Sequence, residues 1–332
     1  MISPAVPLPP HLLAVGFSSA DAASAAGFFC EALGFRRLGE PLEIQGGPYA
    51  DLVGLSGATM RLLRLGIGGE TLELTEVLDP GPGGRPGRPI PADSRSNDRW
   101  FQHICLVVPA IEPVLERLRP LIGDGTLPSP ISSAPQRLPD WNAAAAGIVA
   151  YKLRDPEGHP LELLQFPPDK GEARWHATGA DALVLGIDHS AIGIADSGMS
   201  RRFYSEALGL RLAGDGVNSG VEQDHLDGLE GTRVRISSLR CPSGAGVEGL
   251  DYREPGGGRP MPRDLGPQDA AHWQLRLRLA TLEGVAERVR DCGGRLISPG
   301  IMELAEQAPL IGARRALQVA DPDGHRLQLL AD

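Results

Sequence analysis

The sequence has few of the features that mark secreted, membrane or nucleic-acid-binding proteins. Its four cysteines, Cys30, Cys105, Cys241 and Cys292, show no CxxC spacing, which favours reduced thiols over a disulfide framework or a zinc ribbon. No run of about 18 apolar residues occurs, so no transmembrane helix is expected. Acidic residues outnumber basic ones by 42 to 32, which disfavours nucleic acid and anionic membranes as partners. We therefore expect a cytoplasmic protein, a monomer or homodimer, that binds a small molecule.

Two common groups of catalytic motifs are also missing. No Gly-x-Gly-x-x-Gly motif opens a βαβ unit and no P-loop occurs, so the sequence does not indicate nucleotide binding. A Gly-x-Ser-x-Gly elbow is absent as well, which disfavours a serine hydrolase of that kind.

The chain does contain a long internal repeat. Residues 28–35, FFCEALGF, recur as FYSEALGL at 203–210, and DPEGHPLELL at 155–164 recurs as DPDGHRLQLL at 321–330. A shorter Arg-Pro-x-Pro motif occurs at 88–91 and again at 259–262. The small drift in spacing between the copies is typical of two related units with deletions in their loops. A length of 332 residues also fits two domains.

Each half contains signals for two smaller units that begin with a strand and a helix. Residues 12–17 form an apolar run suited to a buried strand, and Asp21 is placed to cap a helix over 22–33 that ends at Gly34. Segments 50–53, 60–65 and 71–77 are then expected to be strands. The same order is expected three more times along the chain.

The predicted fold class is α+β, with tandem βαβββ units paired into two cup-shaped mixed β-sheets and helices on the outside. The units are expected at about 10–80, 99–168, 185–255 and 270–332, separated within each half by Pro/Gly-rich linkers at 80–91 and 255–267. The polar segment 167–179 is the expected boundary between a first domain, 1–170, and a second, 180–332. Each half is expected to pair its own two units and to fold alone.

These patterns resemble the vicinal oxygen chelate superfamily, which includes glyoxalases, extradiol dioxygenases, epimerases and bleomycin-resistance proteins. The resemblance rests on the four βαβββ units, on F-Y-x-x-x-L-G-L at 203–210 and on D-P-x-G-H before the last strand of each half. It covers essentially the whole chain. It implies that two units form one cupped sheet, and that metal ligands come from the first and last strand of each unit.

Carrying the superfamily's ligand positions onto this sequence gives four residues in each half. The first set is Ala14, Glu73, His103 and Glu162, and the second is His189, Glu248, Gln274 and Gln328, with Asp251 as an alternative to Glu248. Imidazole, carboxylate and amide oxygen can each bind a divalent ion such as Zn, Ni, Co, Mn or Fe. Alanine cannot, and a glutamine neutralises less charge than a glutamate. The first half is expected to bind the ion more tightly.

The resemblance implies a metal-dependent enzyme with glyoxalase-like lyase or isomerase chemistry on a small oxygenated substrate in the first-half cup. Glu162 or Glu73 would then carry the proton. An extradiol dioxygenase is one alternative, although it needs two histidines and neither set has more than one. The other alternative is a metal-free binding protein of the bleomycin-resistance kind, which Ala14, Gln274 and Gln328 favour.

Two polar loops are expected to contribute to substrate binding. Residues 93–102 contain Arg95, and residues 132–142 contain Arg137, Trp141 and Asn142. Long loops on a scaffold often carry specificity, and an arginine can hold a carboxylate or phosphate through paired hydrogen bonds. His159 and His325, which follow Asp-Pro-x-Gly, are expected to stabilise turns.

Overall fold

A computed structural model describes residues 9–121, 129–177 and 182–332, so residues 178–179 of the expected domain boundary lie outside the described part. Four units of similar order follow one another along the chain. Unit 1 contains β1 (His11–Ser18), α1 (Ala22–Leu33), β2 (Arg36–Arg37), β3 (Leu42–Gln45), α2 (Gly47–Leu52), β4 (Thr59–Ile67) and β5 (Glu70–Asp79). Unit 2 contains β6 (Gln102–Val107), α3 (Ile111–Leu118), β7 (Ser129–Pro130), β8 (Gln136–Arg137), β9 (Val149–Arg154) and β10 (Pro160–Gln165).

The second half of the chain repeats this order. Unit 3 contains β11 (Gly186–Gly193), α4 (Ser197–Arg202) with a wider helical turn at Phe203–Ala207, β12 (Arg211–Ser219), α5 (Val221–Asp227), β13 (Arg233–Arg240) and β14 (Gly246–Glu254). Unit 4 contains β15 (Trp273–Arg278), α6 (Val285–Asp291), β16 (Arg295–Leu296), β17 (Met302–Glu303), α7 (Ala308–Ile311), β18 (Arg315–Ala320) and β19 (Arg326–Ala331). No helix in the described residues is long and apolar enough to cross a membrane.

Local signals place the first helix as expected. The Asp21 carboxylate accepts hydrogen bonds from the backbone N–H groups of Ala23 and Ser24, and Gly34 ends the helix in the left-handed region at φ 77°. The strand expected at 50–53 is wrong, because these residues lie in and directly after α2. Pro48 in the first turn of α2 is the sequence signal for that helix.

The strands form two mixed sheets, as the α+β prediction requires, but the pairing of units differs from the expectation. Sheet I has the order β16-β18-β19-β15-β1-β5-β4-β2, with β17 beside β18 and β3 beside β4, and so joins unit 1 to unit 4. Sheet II has the order β12-β13-β14-β11-β6-β10-β9-β7, with β8 beside β9, and joins unit 2 to unit 3. The expected pairing within each half is therefore wrong. A cut between 168 and 180 would divide both sheets.

Buried charges give a physical reason for this pairing. In sheet I, Arg276 of unit 4 contacts Glu73 of unit 1 at 2.7 Å, and in sheet II, Lys152 of unit 2 contacts Asp227 of unit 3 at 2.6 Å. All four side chains are at most 5% exposed. Pairing within each half would separate both ion pairs, and an uncompensated buried charge costs about 3–5 kcal/mol.

The two sheets share one hydrophobic core and are linked by the histidines of the repeated D-P-x-G-H motif. The turn itself is made by Asp155, whose Oδ1 accepts the N–H groups of Glu157 and His159. The His159 ring reaches from sheet II to unit 1 and unit 4, where its Nε2 lies 2.9 Å from the Ser18 carbonyl and 3.0 Å from that of Ala270. His325 reaches in the opposite direction, to the carbonyl of Gly193 at 2.7 Å. These histidines therefore join the sheets, in addition to following a turn.

His159 is expected to stabilise the fold as an imidazolium. Its Nδ1 lies 2.9 Å from Asp155 Oδ2, so both ring nitrogens face acceptors, and only the doubly protonated ring can donate to all of them. Burial lowers the pKa of His159, but the Asp155 carboxylate outweighs it and the net pKa is raised.

Replacing His159 with Phe is expected to lower the free energy of unfolding by about 1.5–3 kcal/mol below pH 6, because hydrogen bonds to a charged group are lost. Phe keeps the ring packing against Phe17. Since the folded pKa lies above the unfolded value, the contribution is complete below about pH 6.5 and disappears as the pH rises through the folded pKa. Denaturant unfolding of both proteins between pH 5.5 and 9 would check this. An equal difference at both ends of the range would contradict it.

Candidate metal centre

Four potential ligands converge on the concave face of sheet II, where the central strands β6 and β11 meet. His103 Nε2 lies 3.2 Å from Glu162 Oε2, and His189 Nε2 lies 3.7 Å from the same oxygen and 3.4 Å from Glu248 Oε2. His103, Glu162 and His189 are buried, and their donor atoms lie within 4.8 Å of one another. The register explains the convergence, because Cys105 pairs with Glu162 on one side and with His189 on the other, two residues from His103 on the same face.

Neighbouring side chains fix the orientation of these groups. The Asp188 carboxylate lies 2.8 Å from His189 Nδ1, which leaves Nε2 directed towards the carboxylates, and Asp188 is itself held by Arg240 at 2.5 Å. Ser238 donates a hydrogen bond to Glu248 Oε1. Support of this kind from a carboxylate beneath a histidine is typical of metal sites.

Buried charged and polar neighbours set the charge state of the site. Burial opposes ionisation of Glu162, but the ammonium of Lys152 and the hydrogen bond with His103 outweigh it and lower the pKa of Glu162 to about 2. Burial lowers the pKa of the His103 imidazole. Glu162 is therefore ionised and His103 neutral, the protonation states in which these two residues bind a metal. Burial lowers the pKa of His189, but the carboxylates of Glu248 and Asp188 outweigh it and raise the net pKa.

The donor set fits a divalent ion of the first transition row. Two imidazole nitrogens and two carboxylates supply borderline and hard donors together, and two carboxylates neutralise the charge of a divalent cation. His103, Glu162, His189 and Glu248 would hold such an ion.

Sheet I has four positions equivalent to those of the candidate ligands, but three of them carry residues of other types. The equivalents of the four candidate ligands are Gln274, Gln328, Ala14 and Glu73. Arg276 stands at the position that Cys105 has in sheet II, and its guanidinium donates to Glu73 at 2.7 Å and to Gln328 at 3.0 Å. An arginine cation thus occupies the place where an ion would otherwise be held.

Segments of the chain also close the concave face of sheet I. Its apolar side chains on that face pack against α2 and α7 in one cluster that includes Tyr49, Met60, Leu304, Ile311 and Leu330. Arg276 donates to the carbonyl of Ile311 at 2.6 Å, so the guanidinium is covered as well as paired. Sheet I has no open cup in the described residues comparable to that of sheet II.

The two ligand sets expected from the sequence are therefore regrouped. His103 and Glu162 join His189 and Glu248, whereas Glu73 and Gln274 lie in the other sheet. Glu73 is held by Arg276 and Arg64, so it cannot act as a proton carrier at the candidate centre. The alternative ligand Asp251 is held by Ser197 and Arg253 instead. The residues that favoured a metal-free protein, Ala14, Gln274 and Gln328, are all in sheet I.

A cavity of about 230 Å³ opens above the candidate ligands, between units 2 and 3. Of the four residues expected to bind substrate, only Asn142 lines it, where its amide donates to Asn218 Oδ1 at 2.6 Å. Arg137 pairs with Asp140 at the surface, and Trp141 is 61% exposed. Arg95 lines a separate surface groove, together with Ser132 of unit 2 and His225 of unit 3.

Lys152, Asp188 and Asp227 shape the charge of the cavity, and none of them is among the site residues predicted from the sequence. The available signal was that Lys152 stands between Tyr151 and Leu153 in what became β9, since a buried lysine needs a partner.

Comparison of the sequence with models of known protein families and with curated proteins gives no match. Solved structures do share its fold. Glyoxalase I from Zea mays superposes with a TM-score of 0.61 at 16% identity, over 97% of this chain and 92% of that chain. A candidate dioxygenase from Bacillus subtilis superposes with a TM-score of 0.52 at 13% identity, over 97% of this chain and 84% of that chain. The chain has the vicinal oxygen chelate fold, as its sequence patterns implied.

Proposed function

We propose that the protein is a metal-dependent enzyme that moves a proton on a small molecule with two adjacent oxygen atoms, a lyase or isomerase chemistry. The observation that carries the proposal is the convergence of two imidazoles and two carboxylates at the base of a cavity. The fold shared with glyoxalase I supports it.

The protein's own residues would position the substrate and move the proton. A divalent ion held by these four side chains would bind the two substrate oxygens and stabilise negative charge that develops on them. Glu162, ionised and buried at the base of the cavity, is the proposed proton acceptor. Asp188 keeps the His189 ring oriented, and apolar walls exclude water from the reacting atoms.

We expect one divalent ion per chain, and replacing His103 with Ala should remove it. The variant keeps three of the four ligands, but it loses one of the two imidazole nitrogens that would bind the ion, so its affinity for the ion should fall. Elemental analysis of protein purified without added ions, followed by titration with Zn, Ni, Co, Mn and Fe, would measure both quantities. The matched control is Gln274→Ala at the equivalent position of sheet I, which should leave the ion bound.

Two outcomes would contradict the proposal. Protein that takes up no ion from any of the five titrations has no metal centre. Loss of the ion in Gln274→Ala but not in His103→Ala would place the centre in sheet I.

An extradiol-type dioxygenase is the second candidate, and the regrouped site favours it more than the sequence did. His103, His189 and Glu162 together make two histidines and one carboxylate, the set found in Fe(II) oxygenases. Such chemistry needs an additional open position for dioxygen, so Glu248 would have to stay off the ion. Consumption of oxygen by the Fe(II)-loaded protein with a catechol distinguishes this candidate from proton transfer, which consumes none.

A further inference from the structure

The walls of the cavity in sheet II are mainly apolar. Unit 2 contributes Leu138, Ile148, Leu164 and Phe166, and unit 3 contributes Val234 and Ile236. These side chains surround the space above the four candidate ligands, so the part of a ligand that does not face the base of the cavity would contact hydrocarbon. Apolar contacts of this kind favour an aromatic or branched aliphatic group.

Every cationic side chain that lines the cavity in the described residues already has a carboxylate partner. Lys152 lies 2.6 Å from Asp227, which also accepts from Gln223 at 2.8 Å. Arg240 lies 2.5 Å from Asp188. An anionic group on a ligand would therefore enter apolar surroundings without a counter-ion, and burying an unpaired charge is costly.

Three neutral amides, Asn142, Asn218 and Gln223, also line the cavity. Asn142 of unit 2 donates to Asn218 of unit 3, and Asn218 donates to Gln223 at 3.1 Å. This chain of amides links the loop over the cavity to the Lys152–Asp227 pair. It can bind a hydroxyl or carbonyl group, but it carries no charge.

The cavity also limits ligand size. Its volume of about 230 Å³ exceeds the roughly 150 Å³ of an apolar cavity that holds benzene in another protein. A single ring with a short oxygenated side chain fits this space, whereas a peptide-sized conjugate would extend outside it.

We propose that the substrate is an uncharged α-hydroxy ketone with one aromatic or branched aliphatic substituent. This inference rests on the proposed function for the position of the two oxygens, but the preference for an uncharged ligand follows from the walls alone. The hydroxyl-bearing carbon gives up a proton to a carboxylate, which returns it to the adjacent carbonyl carbon, while the hydroxyl proton passes from one oxygen to the other. The product is an isomer of the substrate, so atoms and electrons balance with no further reactant.

The test compares phenacyl alcohol with its para-carboxylate, which carries one added carboxylate group, and hence one charge, at the end remote from the two oxygens. Binding to the metal-loaded protein is measured by calorimetry, and proton transfer by exchange of the α-hydrogen with deuterated water. We expect the uncharged compound to bind about tenfold or more tightly than the carboxylate. Equal or tighter binding of the carboxylate, or no binding of either compound, would overturn the inference.

A cation placed in the wall should reverse this preference. Ile236 lines the cavity on β13 and is partly exposed, so Ile236→Lys can be accommodated, and Ile236→Met is the matched neutral control. The lysine variant should bind the para-carboxylate at least about tenfold better than the methionine variant does. No gain would show that the wall does not set the charge preference.

The two proposals fail separately. If phenacyl alcohol binds preferentially but its α-hydrogen does not exchange, the substrate class stands and proton transfer is refuted. If the α-hydrogen of the carboxylate exchanges faster at equal binding, proton transfer stands and the uncharged class is refuted.

Discussion

Replacing Glu162 with Gln is expected to lower turnover by a factor of about 10²–10⁴ while the metal ion stays bound. The amide oxygen can still coordinate, but it cannot accept a proton at neutral pH. The fold should tolerate the change, because Lys152, the cation beside Glu162, keeps its partner Asp227. The measurement is the α-hydrogen exchange rate of the α-hydroxy ketone that the wild type uses best, together with metal content.

Glu248→Gln is the matched comparison, because it changes the other carboxylate of the site in the same way. Glu248 receives a hydrogen bond from Ser238, so its position is held and a smaller loss of turnover is expected. Full turnover in Glu162→Gln with its ion in place would show that Glu162 is not the base. A large loss in Glu248→Gln alone would assign that role to Glu248.

Replacing Arg276 with Met is expected to lower the free energy of unfolding by about 3–5 kcal/mol, the usual cost of breaking a buried ion pair. Glu73 is fully buried and would keep only Arg64, at 2.8 Å, as a cationic partner. Chemical denaturation monitored by tryptophan fluorescence measures the loss. Metal content and turnover should stay at wild-type levels, since Arg276 is in sheet I.

The double variant Arg276→Met, Glu73→Leu separates the ion pair from general packing. Removing both charges should recover most of the lost stability, because no buried carboxylate is left and Arg64, which is 24% exposed, still donates to the Leu310 carbonyl. A loss below about 1 kcal/mol in the single variant would mean that Arg64 or water already neutralises Glu73. Loss of the metal from either variant would contradict the separation of the two sheets' roles.

Local structure could be predicted where the signal lies within a few residues. Asp21 and Gly34 bound α1 because a cap and a left-handed glycine act on the helix end itself. The wrong strand at 50–53 has a local cause as well, since Pro48 in the first turn of α2 favours a helix there. The repeat also placed all four candidate ligands at equivalent positions of their strands, because those positions follow from the order of elements within a unit.

The choice of partner for each unit could not be predicted in the same way. Four similar units can form a cupped sheet in several combinations, and each would alternate apolar and polar faces equally well. The deciding contacts, Arg276 with Glu73 and Lys152 with Asp227, join residues far apart in sequence. Within each strand the sequence shows a cation between apolar residues, but it does not show which carboxylate pairs with that cation. His103 and His189 were predicted in different sites because the sequence did not show that units 2 and 3 pair with each other.

Units 2 and 3, which form sheet II, lie between units 1 and 4 along the chain, and this arrangement sets an order for folding during synthesis. Sheet II is built from a continuous stretch, and its central pairing of β6 with β11 is possible as soon as unit 3 has left the ribosome. Sheet I requires β1, which is made before units 2 and 3, to meet β15, which is made after them; there Val15 pairs with Leu275. At roughly 5–20 residues per second, β1 therefore waits on the order of tens of seconds for its partner. The sheet with the candidate metal centre can be complete while unit 1 still exposes an unpaired strand edge, which makes unit 1 the segment of the nascent chain most in need of protection.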